Sequence, residues 1–499
     1  MNASSFRARA CPALLACVLG VACTSSSDSR DLGAPDPDAG AGDGGLSDAG
    51  SDDAGDAGGD PDGGMDAGLD GGVDAGMPED AGLDAGVAPL ALVCGTTVPV
   101  EADDDEGYGF PILSVLADGR AAATYRRVSG TPRWVGASRF DPASGIWTEL
   151  PGPPLGAVSR TAVVRHGDDV GSLWYEPSGS YSYRLFEDAS GAWGAVTSFT
   201  ARLLTEPIAA TGRGGELIAV TTDASITAEL TARRWVPGTA DLTGPALLDD
   251  ERLRPANPTV AVDPSGQALV IWQRDFGTGW DVALQRFDGS TWLVEGIGPE
   301  PVIVAEPNAL VGGQELAVAI GDDGETGLVA HRVGSGALVI ATRSVDLVPA
   351  RPTLGDVETI TPTGSANGPI RTALTPAGDA IVVWNELVGA AFDPQLRWVI
   401  RRGGVWSAEA EDDEALSLRA WEVVATADGF VFAAATGDRM VLRRVRADGE
   451  LGPWVDVGVD ANGAASPMLA AEADGTVHVV WSQLDEGAAR SSIFHARCD

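Results

Sequence analysis

One stretch of the sequence decides the fold: Val260-Ala261-Val262-Asp263-Pro264-Ser265-Gly266-Gln267-Ala268-Leu269-Val270-Ile271-Trp272. A short apolar segment leads into a Pro-Ser-Gly turn, and a second apolar segment follows and ends in an aromatic residue. The same pattern recurs from Thr372 to Trp384 and from Leu469 to Trp481. Because glycine takes the positive φ that a tight reversal needs, each copy predicts a β-hairpin.

Weaker copies of this hairpin run from about residue 94 to residue 499. The turn glycines are spaced 48, 48, 51, 58, 54, 51 and 46 residues apart, and they are Gly119, Gly167, Gly215, Gly266, Gly324, Gly378, Gly429 and Gly475. Several short strands in each repeat of about 50 residues, without helical periodicity, are typical of a propeller blade. The sequence therefore predicts an all-β, eight-bladed β-propeller over residues 90–499. Seven blades are the alternative count, because Gly215 and Gly324 mark the least regular copies.

The repeat also predicts which residues lie in the core. Trp272, Trp384 and Trp481 occupy one position of the repeat, at the end of the second strand. A four-stranded sheet cannot cover both of its apolar faces alone, so neighbouring blades must stack on each other. We therefore expect these tryptophans between blades rather than in a ligand site.

The two ends of the repeat region carry the cysteines that we expect to close the ring. Cys94 precedes the first blade, and Cys498 ends the third strand of a last repeat that is too short to supply its own fourth strand. The segment 90–100 can supply that strand. In an oxidising compartment, a disulfide between Cys94 and Cys498 would then join adjacent strands and lock the ring.

The first 22 residues have the pattern of an export signal. Arg7 and Arg9 precede an apolar run at positions 10–22 that is too short to span a bilayer. The run ends in small residues before Cys23 and resembles a bacterial lipoprotein signal, which implies lipidation of the Cys23 thiol. The alternative is an ordinary signal peptide with an incidental cysteine. The resemblance predicts an exported chain that is lipid-anchored to a membrane, at the bacterial outer membrane or cell surface.

Residues 23–89 form an acidic segment of low complexity. Asp-Ala-Gly triplets recur through it, and sixteen Asp residues lie between positions 24 and 93, beside one Glu and one Arg. Such a segment has almost no aromatic or β-branched side chains to bury, so it cannot offset the entropy of ordering. We expect a disordered linker that holds the folded domain away from the membrane.

The composition of the chain excludes several classes of function. The 499 residues carry 33 basic and 72 acidic side chains, a net charge of −39, and every basic residue is Arg. The absence of Lys excludes Schiff-base chemistry and a P-loop, and the negative charge argues against nucleic acid as a partner. No nucleophile elbow or zinc-binding spacing occurs, so no catalytic residue, metal or cofactor is predicted. The four histidines are expected in four different blades, as strand or turn residues.

The topology of a propeller points to one mouth of the central channel as the place where a ligand would bind. The loops that join second to third strands surround this mouth, together with the connections between blades. Polar groups beside tryptophans there suit a protein or a polysaccharide partner. The alternative is that these residues are polar because loops are exposed. The candidate residues are Arg126, Arg127, Trp134, Gln273, Arg274, Asp275, Trp280, Asn385, Glu386, Gln483 and Asp485.

The turn Asp288-Gly289-Ser290-Thr291-Trp292 resembles the Asp-box of sialidase-like propellers. In that family the box is structural and lies away from the substrate, so the resemblance implies a fold and not an activity. The preferred function is non-enzymatic binding or scaffolding; a glycan hydrolase and a purely structural envelope component are the alternatives. Carboxylates that converge with an Arg in the channel mouth would favour the hydrolase, whereas an uncharged or irregular mouth would favour binding.

Overall fold

A computed structural model describes the chain between residues 90 and 499. Its description leaves out residues 102–107, 128–134, 152–159, 177–179, 201–207, 212–213, 224–228, 237–238, 240–241, 244, 250–254, 276–278, 294–301, 311–314, 334–338, 350, 361–364, 389–392, 413–417, 437–438, 459–462 and 485–490. The predicted export signal, Cys23 and the acidic linker lie outside the described residues. Within the part that is described, no helix has the length and hydrophobicity that a bilayer crossing requires.

Eight antiparallel sheets make up this part of the chain, and they confirm the predicted eight-bladed propeller. We number the blades in chain order and call the strands of each blade first, second, third and outer; in blades 2, 5 and 6 the outer strand is split into two segments. The strands of blades 1 to 4 are Tyr108–Val115, Ala121–Arg127, Val135–Asp141 and Ile146–Glu149; Arg160–His166, Asp169–Glu176, Ser180–Glu187, Ala192–Trp193 and Thr197–Thr200; Ile208–Thr211, Leu217–Asp223, Glu229–Trp235 and Ala246–Asp249; and Pro255–Val262, Ala268–Asp275, Trp280–Phe287 and Val302–Leu310. The strands of blades 5 to 8 are Leu316–Ile320, Thr326–Val333, Val339–Asp346, Thr353–Leu354 and Glu358–Ile360; Ser365–Leu374, Ala380–Val388, Asp393–Arg402, Val405–Trp406 and Ala410–Glu411; Leu418–Ala425, Gly429–Thr436, Met440–Arg446 and Val455–Asp456; and Ala465–Ala471, Val477–Leu484, Ser491–Cys498 and, from the N-terminal side, Val98–Pro99.

The blades form a closed ring around their first strands. The first strand of every blade packs against the first strands of both neighbouring blades, all the way round. Each of the eight interfaces between neighbouring blades holds a hydrophobic cluster with residues from both sides. Trp272, Trp384 and Trp481 are fully buried, each in the interface with the preceding blade. The prediction that these tryptophans belong to the core is confirmed.

The ring closes where the two ends of the propeller meet in blade 8. Val98 and Pro99 pair with the last strand as its outer neighbour, and the main chains of Val93 and Asp499 exchange two hydrogen bonds of 3.0 and 3.1 Å. Cys94 and Cys498 are joined by a disulfide bond between these adjacent strands. Both the predicted closing strand and the predicted disulfide are therefore confirmed.

Turn glycines reverse the chain between first and second strands at one end of the propeller. Seven of the eight predicted glycines have φ between 56° and 94°, as the hairpins require. Gly429 differs, because it starts the second strand of blade 7, where a Cβ would lie 2.3 Å from the carbonyl oxygen of Val445. We call the end with these hairpins the lower end, and the opposite end, where second strands finish and first strands begin, the upper end.

Candidate functional site

The first strands of five blades bulge near the upper end of the channel. Relative to the second strand, the first strand has one extra residue in blades 1, 4, 7 and 8 and two in blade 6. Because proline has no N–H for the ladder, it is tolerated in a bulge on an edge strand. In blades 1, 4, 6 and 8 the bulge lies opposite the aromatic residue of the second strand and contains one dipeptide of the Xaa-Pro type: Phe110-Pro111, Asn257-Pro258, Gly368-Pro369 and Ser466-Pro467.

In three of these bulges, the backbone of a non-glycine residue adopts the left-handed conformation. Phe110, Asn257 and Ser466 have φ of 56°, 48° and 52°, and among the described residues they are the three non-glycine residues with positive φ. Such a conformation costs about 1–3 kcal/mol per residue and tends to cluster at functional sites. The recurrence of the strain at one position of the repeat therefore marks the upper mouth as the candidate site.

Blade 1 presents an exposed aromatic ring at this mouth. Phe110 is 51% exposed, whereas Pro111 beside it is buried. The Cζ atom of Arg126 lies 4.2 Å from the centre of the Phe110 ring, within the range of a cation–π contact. The predicted site residue Arg126 thus stands next to an aromatic ring that the sequence analysis did not single out. Arg127 ends the same strand.

The predicted site residues of blade 4 belong to a buried polar network. Gln273 is fully buried, and its side-chain oxygen accepts a hydrogen bond of 2.8 Å from the amide of Asn257 in the bulge. The guanidinium of Arg274 donates two hydrogen bonds, of 2.9 and 2.6 Å, to the carboxylate of Asp281 on the third strand. A bidentate pair of this kind has a fixed geometry. These groups therefore hold the upper part of the blade together and position Asn257.

An ion pair joins the first strands of blades 6 and 7 inside the ring. The Nε atom of Arg371 lies 3.1 Å from a carboxylate oxygen of Glu422, and its guanidinium lies over the ring of Trp421 with 5.8 Å to the centroid. The Arg371 side chain is 37% exposed, so solvent reaches it in the channel. The carboxylate of Glu422 raises the pKa of Arg371, and Glu315, which precedes the first strand of blade 5, acts in the same direction. Charged groups of both signs therefore lie among otherwise mainly apolar inner strands.

The predicted residue Glu386 belongs to a second charged group, in blade 6. Arg397 lies 2.9 Å from the carboxylate of Glu386, 3.1 Å from that of Glu409 and 2.7 Å from that of Glu411. Glu386 is 1% exposed, and burial raises its pKa even though Arg397 acts in the opposite direction. Three carboxylates around one cation leave this group negatively charged.

The remaining described candidates belong to three different blades. Asp275 and Trp280 face each other across the second and third strands of blade 4, and Asn385 is half-buried in blade 6. Gln483 is buried, and its side-chain oxygen accepts a hydrogen bond of 3.1 Å from the indole of Trp481. Two predicted residues lie outside the described part of the chain, together with the loops that carry them: Trp134 and Asp485.

The turn that resembles an Asp-box uses its own polar groups locally. One carboxylate oxygen of Asp288 accepts hydrogen bonds from the main-chain N–H groups of Ser290 and Thr291, at 2.8 and 2.7 Å, and Gly289 has φ of 91°. The carbonyl of Gly289 accepts a hydrogen bond of 2.7 Å from Arg234 of the preceding blade. This turn lies at the lower end and ties blade 3 to blade 4, which is a structural role.

Two histidines lie together, so the prediction of four histidines in four blades is wrong. His478 and His495 both belong to blade 8, and their ring nitrogens are 3.0 Å apart. The other ring nitrogen of His478 lies 2.8 Å from Glu472, whose carboxylate also accepts a hydrogen bond of 2.8 Å from Arg497. Both rings are buried against blade 1. Burial, with the charge of neighbouring groups, holds the pKa of His495 well below its ordinary value.

The bulges are the part of the site that sequence reasoning missed, although a signal was present. A proline precedes the repeated aromatic residue by 14 positions in blades 1, 4 and 8 and by 15 in blade 6. Aligning the repeats on their aromatic residues brings three of these prolines into one column, and the proline of blade 6 falls one position earlier. In blades 1, 4 and 8 the strained residue is the one that precedes the proline.

No group of three or more metal-binding side chains in suitable geometry occurs among the described residues. No protein-family model matches the sequence, and no curated protein matches it either.

Solved structures show where the fold recurs. The structure of the Dos1 propeller superposes with a TM-score of 0.51 at 9% identity, and the match covers 81% of this chain and 95% of that one. The crystal structure of the polysaccharide lyase Uly1 matches with a TM-score of 0.45 at 12% identity, over 81% and 99% of the two chains. The α-L-arabinanase of Penicillium chrysogenum, complexed with arabinobiose, gives 0.40 at 12% identity, over 81% and 98%. At such identities the likeness concerns the fold alone: this chain has an eight-bladed propeller, a fold with neighbours among glycosidases and lyases.

Proposed function

We propose that the protein is a non-enzymatic binding or scaffold module of the bacterial surface, with a polysaccharide or a protein as its ligand. In this proposal Cys23 carries a lipid anchor, residues 23–89 are a disordered linker, and the propeller over residues 90–499 offers its upper mouth to the ligand. The observation that carries the proposal is the recurrence of strained residues at that mouth, in three different blades. Strain that recurs at one repeat position indicates selection for something other than stability.

The acidic groups near the mouth are paired with arginines, and this pairing favours binding over hydrolysis. Asp281 is held by two hydrogen bonds from Arg274, and Glu386 lies 2.9 Å from Arg397. A general acid needs a carboxyl group that can reach and protonate the leaving group. Carboxylates that are buried in ion pairs with arginines stabilise the folded structure instead.

The binding part of the proposal is tested with the full-length protein on a glycan array and in pull-downs from envelope extracts. We expect wild type to retain a glycan or a protein. The triple variant Phe110→Gly, Asn257→Gly, Ser466→Gly is expected to lose it and to remain folded, because glycine relaxes positive φ. Val405→Gly is the control, since Val405 is 71% exposed at a lower-end turn. Equal retention by wild type and the triple variant would contradict a ligand site at the upper mouth. If wild type binds nothing on the array and nothing in the pull-down, a structural envelope component would be favoured.

The anchoring part is tested separately in cells. We expect Cys23→Ser to release the protein from the membrane fraction and to abolish incorporation of labelled palmitate, because the thiol is the proposed acceptor. Cys17→Ser is the matched control, since Cys17 lies inside the proposed signal and should not affect the mature chain. Membrane retention of Cys23→Ser with normal labelling would overturn the anchor.

A glycan hydrolase is the second candidate, and one observation favours it. Glu422 contacts Arg371 in the first strands that line the channel, and Glu315 acts on the same guanidinium. Hydrolase activity predicts release of reducing sugar from a neutral or acidic polysaccharide, and it predicts that Glu422→Gln abolishes that release. Binding without release, unaffected by Glu422→Gln, would favour the binding module.

A further inference from the structure

We propose that the open face of Phe110 is a stacking platform for an uncharged pyranose unit of a polysaccharide. This inference rests on the proposed function and specifies its ligand and the blade that holds it. Among the residues whose side chains are described, Phe110 is the one aromatic residue that is more than half exposed, at 51%. It stands at the upper mouth, with its backbone held at φ of 56° in front of the buried Pro111.

The backbone conformation explains why the ring points away from the core. In a regular strand, residue 110 would sit in the ladder with the second strand, but the bulge takes it out of register between Gly109 and Ile112. The position opposite the bulge is filled by Tyr125, which is fully buried and packs edge-on against Tyr108 at 5.2 Å. Tyr108 and Tyr125 therefore fill the aromatic positions of the interface with blade 8, and Phe110 is not part of this core.

The charge around the ring selects the chemistry of the ligand. Arg126 lies 4.2 Å from the ring centre on one face, so a cationic ligand on the other face would meet a like charge directly behind the ring. Residues 94–499 carry 30 Arg and 55 acidic side chains, a net charge of −25, which repels an anionic polymer. An uncharged ligand with an apolar face avoids both penalties. The C–H face of a pyranose has these properties and matches the size of one aromatic ring.

The strained residue of the neighbouring blade offers a polar group to such a ligand. Ser466 occupies the equivalent bulge position in blade 8, the blade next to Phe110 in the ring. A hydroxyl can exchange hydrogen bonds with sugar hydroxyls. Asn257 is exposed at the same repeat position, and its amide is oriented by the hydrogen bond to the buried Gln273, but it belongs to blade 4, three blades along the ring from blade 1. The inferred site thus combines one apolar platform with a polar group from the adjacent blade.

The test is affinity electrophoresis of the full-length protein in gels that contain a neutral polymer (dextran, laminarin or galactomannan), anionic polygalacturonate or cationic chitosan. We expect at least one neutral polymer to retard wild type. Phe110→Ala is expected to weaken that retardation about tenfold, while Phe110→Trp preserves it. Ile146→Ala is the matched control, since Ile146 is 60% exposed at the lower end. Equal affinity of wild type and Phe110→Ala, or a preference for either charged polymer, would overturn the inference.

A second variant separates a ligand platform from a structural role. Phe110→Gly removes the ring and relaxes the positive φ, so we expect its thermal midpoint to equal or exceed that of wild type while retardation is lost. A clearly lower midpoint would show that the ring serves the fold and would overturn the inference. If Phe110→Ala and Phe110→Gly leave binding intact, the inference fails while the proposed function stands. If wild type binds no polysaccharide and retains no protein in the pull-down, both fail.

Discussion

Buried ion pairs near the upper end join the strands of individual blades. In blade 4, a single arginine makes such a pair. Arg274 and Asp281 are both buried, and removing one partner leaves the other charge without compensation. We expect Arg274→Ala to lower the free energy of unfolding by about 3 kcal/mol. The measurement is the urea midpoint of the disulfide-intact protein.

A surface pair provides the control for this experiment. Arg446 lies 2.7 Å from Glu450, but both side chains are substantially exposed, at 25% and 53%. Exposed pairs contribute less than about 1 kcal/mol, so Arg446→Ala should move the midpoint little. If the two substitutions have equal effects, the buried pair does not have the structural importance that its geometry indicates.

A single glycine makes room for an aromatic ring in blade 1. A Cβ on Gly136 would lie 2.0 Å from the ring of Tyr125, which is fully buried and whose hydroxyl shares a 3.0 Å hydrogen bond with Ser138. We expect Gly136→Ala to lower the free energy of unfolding by roughly 1–3 kcal/mol, because an overpacked core must shift. Gly194→Ala is the comparison, since the nearest atom to its Cβ would be 3.4 Å away. A similar thermal midpoint for both variants would contradict this account.

At the scale of strands and hairpins, the sequence predicted the elements that are determined by residues close together in the chain. Two short apolar segments and the turn glycine between them act within about a dozen positions, so the hairpin ending at Trp272 was predictable. The closing strand followed from a count of strands in the last repeat. By contrast, the contact of His478 with His495 depends on the register of the last hairpin, in which His495 lies opposite Val480. The ion pair of Arg371 with Glu422 spans 51 residues and depends on how successive repeats stack.

The closing strand of blade 8 is the element on which the ring depends, and its disulfide joins residues 404 positions apart. Cross-linking so long a segment restricts the unfolded chain, with an upper limit of roughly 6 kcal/mol in the loop-entropy picture. We expect Cys94→Ser, Cys498→Ser to unfold at a lower temperature than wild type in oxidising buffer. Wild type under a strong reductant should behave like the double variant. Identical midpoints in oxidising buffer would show that the strand hydrogen bonds alone close the ring.

At the scale of the whole molecule, stability depends on eight interfaces, and buried titratable groups in them make it depend on pH. His331 is 2% exposed beside Arg343, and burial lowers its pKa to about 4. Because the unfolded chain binds this proton near pH 6.5 and the folded protein does not, stability is complete above pH 6.5 and falls as the pH drops toward 4.

The variant His331→Leu removes this penalty. We expect its free energy of unfolding, relative to wild type, to rise by about 2 kcal/mol between pH 7.5 and pH 4.5. The measurement is a set of urea midpoints at both pH values. The half-exposed His166 provides the control His166→Leu. A constant difference between His331→Leu and wild type across this range would contradict the assigned burial effect.

The opposite dependence arises where the ring closes, between blades 8 and 1. Glu101 is 7% exposed, and one of its oxygens accepts a hydrogen bond of 2.6 Å from the main-chain N–H of Ile493. Burial raises its pKa to about 7, and the negative charge of Glu149 adds to the effect. The folded protein therefore keeps a proton that the unfolded chain releases near pH 4.5, so this joint loses stability as the pH rises from 4.5 to 7.

Replacing this carboxyl group with an amide isolates the contribution of the joint. Glu101→Gln keeps the oxygen that accepts from Ile493 and removes the ionisation, so it should match wild type at pH 4.5 and exceed it by about 3 kcal/mol at pH 8. The two urea midpoints measure this difference, with Asp474→Asn at the lower end of blade 8 as the control. A gain that is equal at both pH values would mean that the joint is insensitive to the charge of Glu101. A gain confined to pH 8 would show that the closed ring is most stable in mildly acidic solution. Above pH 7 the carboxylate of Glu101 is ionised while buried, and this buried charge lowers the free energy of unfolding.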